Sequence, residues 1–210
     1  MPKNKSLYIF DMDGTLIDSS QAIIHAINFV RDNMALTPLE NSYILEGINN
    51  ERINPAQYFY GIERFEPIHE EWFAHYYSTH HDKEIALYEG IGDILEALKS
   101  KDVQLAIATN AYRTTAIESL KHTGIYEFFD AIVTSDDVNK VGKPHPDMLL
   151  RLLERLSILP NASIFIGDSH KDRVAAQKAS IDFLMVNWGF SNHDEGAIET
   201  PTKLYEILIA

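Results

Sequence analysis

The sequence predicts an α/β fold: a parallel sheet with helices on both faces, and a helical segment inserted after the first strand. Three observations predict it. Short apolar runs, bounded by polar or glycine residues, recur along the chain and read as strands buried on both sides. Between them, apolar residues fall at helical spacing. One long stretch, residues 17–87, breaks this alternation. A chain of 210 residues accommodates one compact domain carrying such an insertion.

The strands are expected at 7–10, 103–108, 131–133, 163–166 and 183–186. None shows the strict alternation of a half-solvated strand. Ile91, Ile94, Leu95 and Leu98 follow i, i+3, i+4, i+7 spacing, as do Leu149, Leu152, Leu153 and Leu156. Further helices are expected at 171–179 and 202–209. Strands alternating with helices give a parallel sheet. In the inserted stretch, Ile23, Ile27, Val30 and Met34 mark a helix that Ser19 or Ser20 would cap. Beyond Thr37-Pro38 the pattern stays helical or irregular, with no clear strand. Gly90 and Gly92 mark the return, so residues 1–16 and 88–210 are expected to form the core and 17–87 the insertion.

Composition narrows the function. Hydrophobic residues at 45% and charged residues at 23% suit a globular protein with a full core, which excludes disorder of the whole chain. No run approaches 18 apolar residues, so no membrane span is expected. Residues 7–10 are too short a run for an export signal. The chain has no cysteine, which removes disulfides, thiolate metal sites and thiol nucleophiles and fits a reducing cytoplasm. A net charge of −13 argues against nucleic-acid binding through a broad basic surface. The expected partner is a small molecule rather than nucleic acid or membrane; the chain reads as a monomer or a homodimer.

Four segments carry chemistry. Three lie at the C-terminal end of an expected strand, the edge where open parallel sheets bind ligands, and the third in chain order follows a strand after a short loop. The first is Asp11-Met12-Asp13-Gly14-Thr15, two carboxylates two residues apart, with a glycine that permits a tight turn and a threonine able to hydrogen-bond within it. The second is Thr109-Asn110, which taken alone also suits a helix N-cap. The third is Lys143-Pro144-His145-Pro146, whose lysine taken alone is a surface charge opening a helical segment. The fourth is Gly167-Asp168 with Asp172 four residues on. This spacing puts both carboxylates near one helix start, where the helix dipole also favours acids.

Together, in this order, the four segments resemble the haloacid dehalogenase-like hydrolase superfamily, and the resemblance covers the whole chain. It implies a Rossmann-like core with a helical cap at 17–87 and a Mg²⁺-dependent phosphatase acting on a small phosphorylated metabolite. Asp11 would be the nucleophile and Asp13 the acid and base. Thr109, the Asn110 backbone N–H and Lys143 would bind phosphate. Asp11, Asp168 and the Asp13 backbone carbonyl would ligate the metal. Asp172 would hold a metal-bound water or orient Lys143. The Trp188-Gly189-Phe190 segment looks like one common in the phosphoglycolate phosphatase-like branch, though a tryptophan beside glycine also suits plain packing. One departure is Ser180, which stands where the family's Ala-x-x-Ala-Gly stretch has glycine; that position is structural.

Three other readings share the scaffold. A dehalogenase would lack an acid at Asp13. A sugar-phosphate mutase of the β-phosphoglucomutase type would carry a Lys-Gly-x-x-Arg-like cap loop, where this chain has Glu46-Gly47-Ile48-Asn49-Asn50. A non-catalytic binding module would not keep the full set of Asp11, Asp13, Lys143 and Asp168. Within the cap, residues 46–52 are expected to face the active site. Gly47 would allow close approach, Asn49 and Asn50 would offer uncharged donors and acceptors, and Arg52 would meet a carboxylate or second phosphate. Tyr58, Phe59, Tyr60, Trp72, Phe73, Tyr76 and Tyr77 are expected to form cap core, and Tyr58, Tyr60 and Trp72 are the alternative seat of specificity. His25, His69, His75, His80 and His81 read as a solvated face.

Overall fold

The first strand, β1 (Leu7–Phe10), is buried along its whole length at the centre of the molecule. The structure is a computed structural model that describes residues 5–48, 50, 53–139, 141–189 and 196–209. After β1 the chain turns into a short strand, β2 (Ile17–Asp18), and then into four helices: α1 (Ser20–Asn33), α2 (Asn41–Ile48), α3 (Pro55–Tyr60) and α4 (Pro67–Glu84). It returns through β3 (Ala86–Leu87) and α5 (Ile91–Lys99). Strands and helices then alternate: β4 (Gln104–Thr109), α6 (Arg113–His122), β5 (Ala131–Thr134), α7 (Asp147–Leu156), β6 (Ser163–Gly167), α8 (His170–Ala179), β7 (Asp182–Met185) and α9 (Pro201–Ile209).

Five strands form one parallel sheet in the order β5-β4-β1-β6-β7. The side chains of β1 explain why its apolar run is continuous. Tyr8 and Phe10 enter one core layer with Ile94, Leu95, Leu98 and Leu204 of α5 and α9, while Leu7 and Ile9 enter another with Leu149, Leu152 and Ala176 of α7 and α8. A strand covered on both faces has no polar side to show. Chain order reverses about β1, since β4 and β5 extend from one side and β6 and β7 from the other. The strand ends there leave a crevice at the carboxyl edge. The expected helix at 171–179 starts one residue earlier, and α6 and the division of the insertion into α2, α3 and α4 had no clear periodic signal.

The inserted stretch is not all helical. Ile17 pairs with Leu87 and Asp18 with Ala86 as a two-stranded antiparallel ribbon, so the chain leaves and returns side by side. Two residues per strand are too few to show a period in sequence. The helices α1, α2 and α3 share a small core of Ile24, Ile27, Val30, Ile44, Phe59 and Tyr60. Phe59, Tyr60 and Tyr77 are buried, whereas Tyr58, Trp72, Phe73 and Tyr76 are only half-buried. His25, His75 and His80 are exposed and His69 is half-buried, which fits a solvated face; the His81 side chain lies outside the described residues. Among the described residues no helix is long and apolar enough to cross a membrane.

Candidate active site

The backbone of Asp11 is held by the sheet, because its N–H donates to the Ile166 carbonyl at 2.9 Å, extending the β1–β6 ladder by one residue. Its Oδ1 accepts the Met12 N–H at 2.7 Å and lies 2.6 Å from Lys143 Nζ. A tight turn follows. Gly14 adopts φ 80°, which a side chain would resist, and the Met12 carbonyl accepts the N–H groups of Leu16 and Ile17 at 2.9 and 3.0 Å. The turn carries Asp13 back beside the cleft.

The hydroxyl of Ser19 donates to Asp13 Oδ1 at 2.6 Å. Ser19 precedes α1, yet its side chain makes no capping bond, contrary to expectation; the nearby carboxylate is the stronger acceptor. Thr15 departs from expectation as well. Its hydroxyl is buried with no hydrogen-bond partner among the described residues, while its carbonyl accepts the Trp188 indole N–H at 3.1 Å. Beside it Gly189 lies so close to Gly14 that a Cβ there would strike the Gly14 backbone. Trp188 and Gly189 therefore brace the turn that carries Asp13. Phe190 lies outside the described residues.

Thr109 ends β4 and is buried, and its hydroxyl oxygen accepts the Ala111 N–H at 3.1 Å, which leaves the O–H to donate into the cleft. Neither Thr109 nor Asn110 caps a helix, because α6 begins only at Arg113. The Asn110 side chain instead clamps the Lys143 backbone. Its Oδ1 accepts the Lys143 N–H at 2.8 Å and its Nδ2 donates to the Lys143 carbonyl at 3.1 Å. Gly142 makes room for this clamp, since a Cβ there would meet the Asn110 amide.

Lys143 opens no helix, because α7 starts at Asp147, and it is no surface charge. Its side chain is 3% exposed, with Nζ 5.5 Å above the Phe165 ring and 2.7 Å from Asp172 Oδ1. The other Asp172 oxygen accepts the Ser169 N–H at 3.0 Å and its hydroxyl at 2.5 Å, the box that caps α8. With both oxygens engaged, Asp172 is aimed at Lys143. Gly167 is needed there too, since a Cβ on it would come within 2.7 Å of Asp172.

Carboxylate oxygens of Asp11, Asp168 and Asp172 lie within 4.8 Å of one another, and all three residues are buried. Burial pushes the Asp11 carboxyl up to about 7, against the pull of Lys143, with Asp172 adding to the rise. Burial raises Asp13 as well, opposed by the Ser19 hydrogen bond and by Lys143. Asp168 is held well above the usual carboxylate range by burial and then by the charges of Asp11 and Asp172. Burial alone would lower Lys143, but Asp11 and Asp172 outweigh it and raise it. Lys143 meets Asp11 and Asp172 directly and opposes the rise at Asp168 only in part. An all-oxygen pair such as Asp11 and Asp168 fits a hard divalent cation, which would favour the charged form of both.

Asp11, Asp13, Thr109, Asn110 and Lys143 line one cleft of about 200 Å³. Ile23 and Ile48 of the helical layer and Lys171 of α8 complete its wall. Ser169 and Lys171 were not singled out from the sequence, and Ser19 only as a helix cap. The Ser169-x-x-Asp172 spacing of a capping box was readable there. For Ser19 and Lys171 the signal needed the fold. Asn50 is half-buried, with its N–H donating to the Gly47 carbonyl at 3.3 Å; Asn49 and Arg52 lie outside the described residues. Gly47 sits inside α2 and faces the Tyr58 and Phe59 rings, which a Cβ would strike. Packing within the helical layer requires that glycine.

Carboxylates and a buried lysine gathered at the carboxyl edge of a doubly wound parallel sheet form the site of an enzyme of the α/β class. The sequence model described as haloacid dehalogenase-like hydrolase matches residues 8–186, and the chain belongs to this family and is an enzyme. A pyrophosphatase, PpaX, of a Bacillus cereus strain is 33% identical over 183 residues, covering 86% of this chain and 82% of its own. A solved haloacid dehalogenase-like family hydrolase from Streptococcus pneumoniae superposes with TM-score 0.80 at 25% identity, covering 97% of this chain and 98% of its own. A candidate phosphoglycolate phosphatase from Lactobacillus plantarum superposes with TM-score 0.81 at 25% identity, covering 97% and 99%.

Proposed function

We propose that this hydrolase is a Mg²⁺-dependent phosphatase of the phosphoglycolate phosphatase-like kind. It removes the phosphoryl group from a small phosphate monoester through an aspartyl-phosphate on Asp11. The observation that carries the reading is the ion pair of Asp11 with Lys143, 2.6 Å long, at the buried end of a cleft where Asp13 is held by Ser19. The names of the relatives, a pyrophosphatase and a candidate phosphoglycolate phosphatase, support the same chemistry.

In this reading a bond forms between an Asp11 oxygen and phosphorus as the bond to the leaving oxygen breaks. Asp13 gives its proton to that oxygen, then takes one from the water that cleaves the acyl phosphate. Burial raises the Asp13 carboxyl, the direction that suits a group that must carry a proton. Lys143 and the Thr109 hydroxyl hold phosphoryl oxygens, and Asn110 and Asp172 fix Lys143 from its two ends. Asp11, Asp168 and the Asp13 carbonyl would hold Mg²⁺, which when bound supplies charge that offsets the transferring group.

Residues 17–87 act as a cap over the cleft, with Ile23 and Ile48 as its face toward the substrate. Asn50, half-buried two residues beyond Ile48, belongs to the same specificity surface. The reaction takes place in the cytoplasm on a small phosphorylated metabolite. A panel of such metabolites, assayed for released phosphate with and without Mg²⁺, tests the function. Turnover that needs Mg²⁺, stops in excess EDTA and disappears in Asp11→Asn is expected. Full turnover in EDTA, or in Asp11→Asn, would overturn it.

A further inference from the structure

We infer that Lys171 selects substrates whose leaving group carries a second negative charge, such as a second phosphoryl group or a carboxylate. The inference rests on the phosphatase reading and adds to it a residue on the leaving-group side.

The cleft has two ends. Asp11, Thr109 and Lys143 are buried, and they form the end that would seat the reacting phosphoryl group. Ile23, Ile48 and Lys171 are half-buried and form the other wall, toward the helical layer. A leaving group must point from the first end to the second. Lys143 is drawn to two carboxylates at 2.6 and 2.7 Å, which ties its charge to the reacting end. Among the described residues that line the cleft, Lys171 is the other cation.

Lys171 sits one residue before Asp172 in the first turn of α8, so its backbone is as firmly set as the site itself. Its ammonium donates to the Ile48 carbonyl at 3.1 Å, across from α8 to the C-terminal end of α2. That bond shows how far the side chain reaches: it spans the mouth between sheet layer and helical layer. An anionic group entering the mouth comes within reach of this ammonium, and an anionic oxygen is a stronger acceptor for it than a neutral one.

The test compares two ligands that cannot be hydrolysed, phosphonoacetate and methylphosphonate, which differ by a carboxylate. Their affinities are measured by calorimetry for the intact protein and for Lys171→Met and Lys171→Arg, at one fixed free Mg²⁺ concentration. Methionine keeps the apolar stem and removes the charge; arginine keeps the charge. The intact protein should prefer phosphonoacetate. That preference should fall about tenfold or more in Lys171→Met, the scale of a lost charge-assisted hydrogen bond, and Lys171→Arg should restore most of it. Equal preference in the intact protein and Lys171→Met overturns the role of Lys171 and leaves the phosphatase reading standing. Binding of neither ligand to the intact protein overturns both.

Discussion

Asp172 meets Lys143 with one carboxylate oxygen at 2.7 Å and turns the other to Ser169, capping its own helix. One side chain thereby fixes both the start of α8 and the ammonium that faces Asp11. The sequence motif mixes these two duties, and only the geometry separates them.

The first prediction concerns that lysine. Lys143→Ala removes the cation paired with the buried carboxylates of Asp11 and Asp172. Breaking a buried pair from one side costs about 3 kcal/mol or more. Urea unfolding in EDTA should show that loss, together with near-complete loss of turnover. Unchanged stability would mean that the carboxylates simply take up protons.

Ser19→Ala should act through Asp13. A hydrogen bond to a charged acceptor contributes roughly 1.5–3 kcal/mol, so turnover of alkyl phosphates should fall at least about tenfold. Aryl phosphates, whose leaving oxygen needs less help from a proton, should be affected less. Comparing kcat on one ester of each kind checks it.

The pH dependence follows from Asp11, whose carboxyl is raised to about 7 by burial. A carboxyl raised in the folded state binds its proton more tightly there than in the unfolded chain. Its contribution is complete below about pH 4 and disappears as pH rises through about 7. Asp11→Asn removes this dependence. Thermal unfolding in EDTA should therefore show Asp11→Asn gaining stability over the natural protein between pH 5 and pH 8, and Mg²⁺ should narrow the gap. A gap that does not move with pH would refute the assignment.

Gly189→Ala should push a methyl group into the Gly14 backbone. Overpacking of this kind costs about 1–3 kcal/mol. Because the displaced turn carries Asp13, kcat should fall as well as the melting temperature. A drop in stability with kcat intact would separate the brace from the chemistry.

Ser180→Gly should stabilise. Ser180 ends α8 at φ 58°, in the left-handed region, and the Ile181 N–H closes the turn on the Ala176 carbonyl at 3.0 Å. Relieving a side chain there gains about 1 kcal/mol, or roughly 2–4 °C in melting temperature for a chain of this size.

What the sequence made legible follows a physical division. The strands of the sheet are uninterrupted apolar runs because Tyr8 and Phe10 face one core layer and Leu7 and Ile9 the other. Turns whose backbone favours glycine, such as the one at Gly14, were legible too. The ribbon of Ile17–Asp18 and Ala86–Leu87 was hidden because pairing across a long insertion leaves no local trace. Lys143 reads as a surface charge until Asp172 and Phe165 are seen around it. Ser19 reads as a cap until Asp13 is seen to bind its hydroxyl. Lys171 acquires meaning only when Ile48 is found opposite.

The ribbon bears on how such an enzyme can change its diet. Ile17 and Leu87 stand opposite each other, so everything between them is a closed detour from the sheet. The cost of closing such a loop grows only with the logarithm of its length. A shorter or longer detour grafted between the same two residues should leave Asp11, Lys143 and Asp168 where β1, β6 and the Lys143 loop hold them. Substrate choice and phosphoryl chemistry are thus separable inheritances, joined at two antiparallel residue pairs.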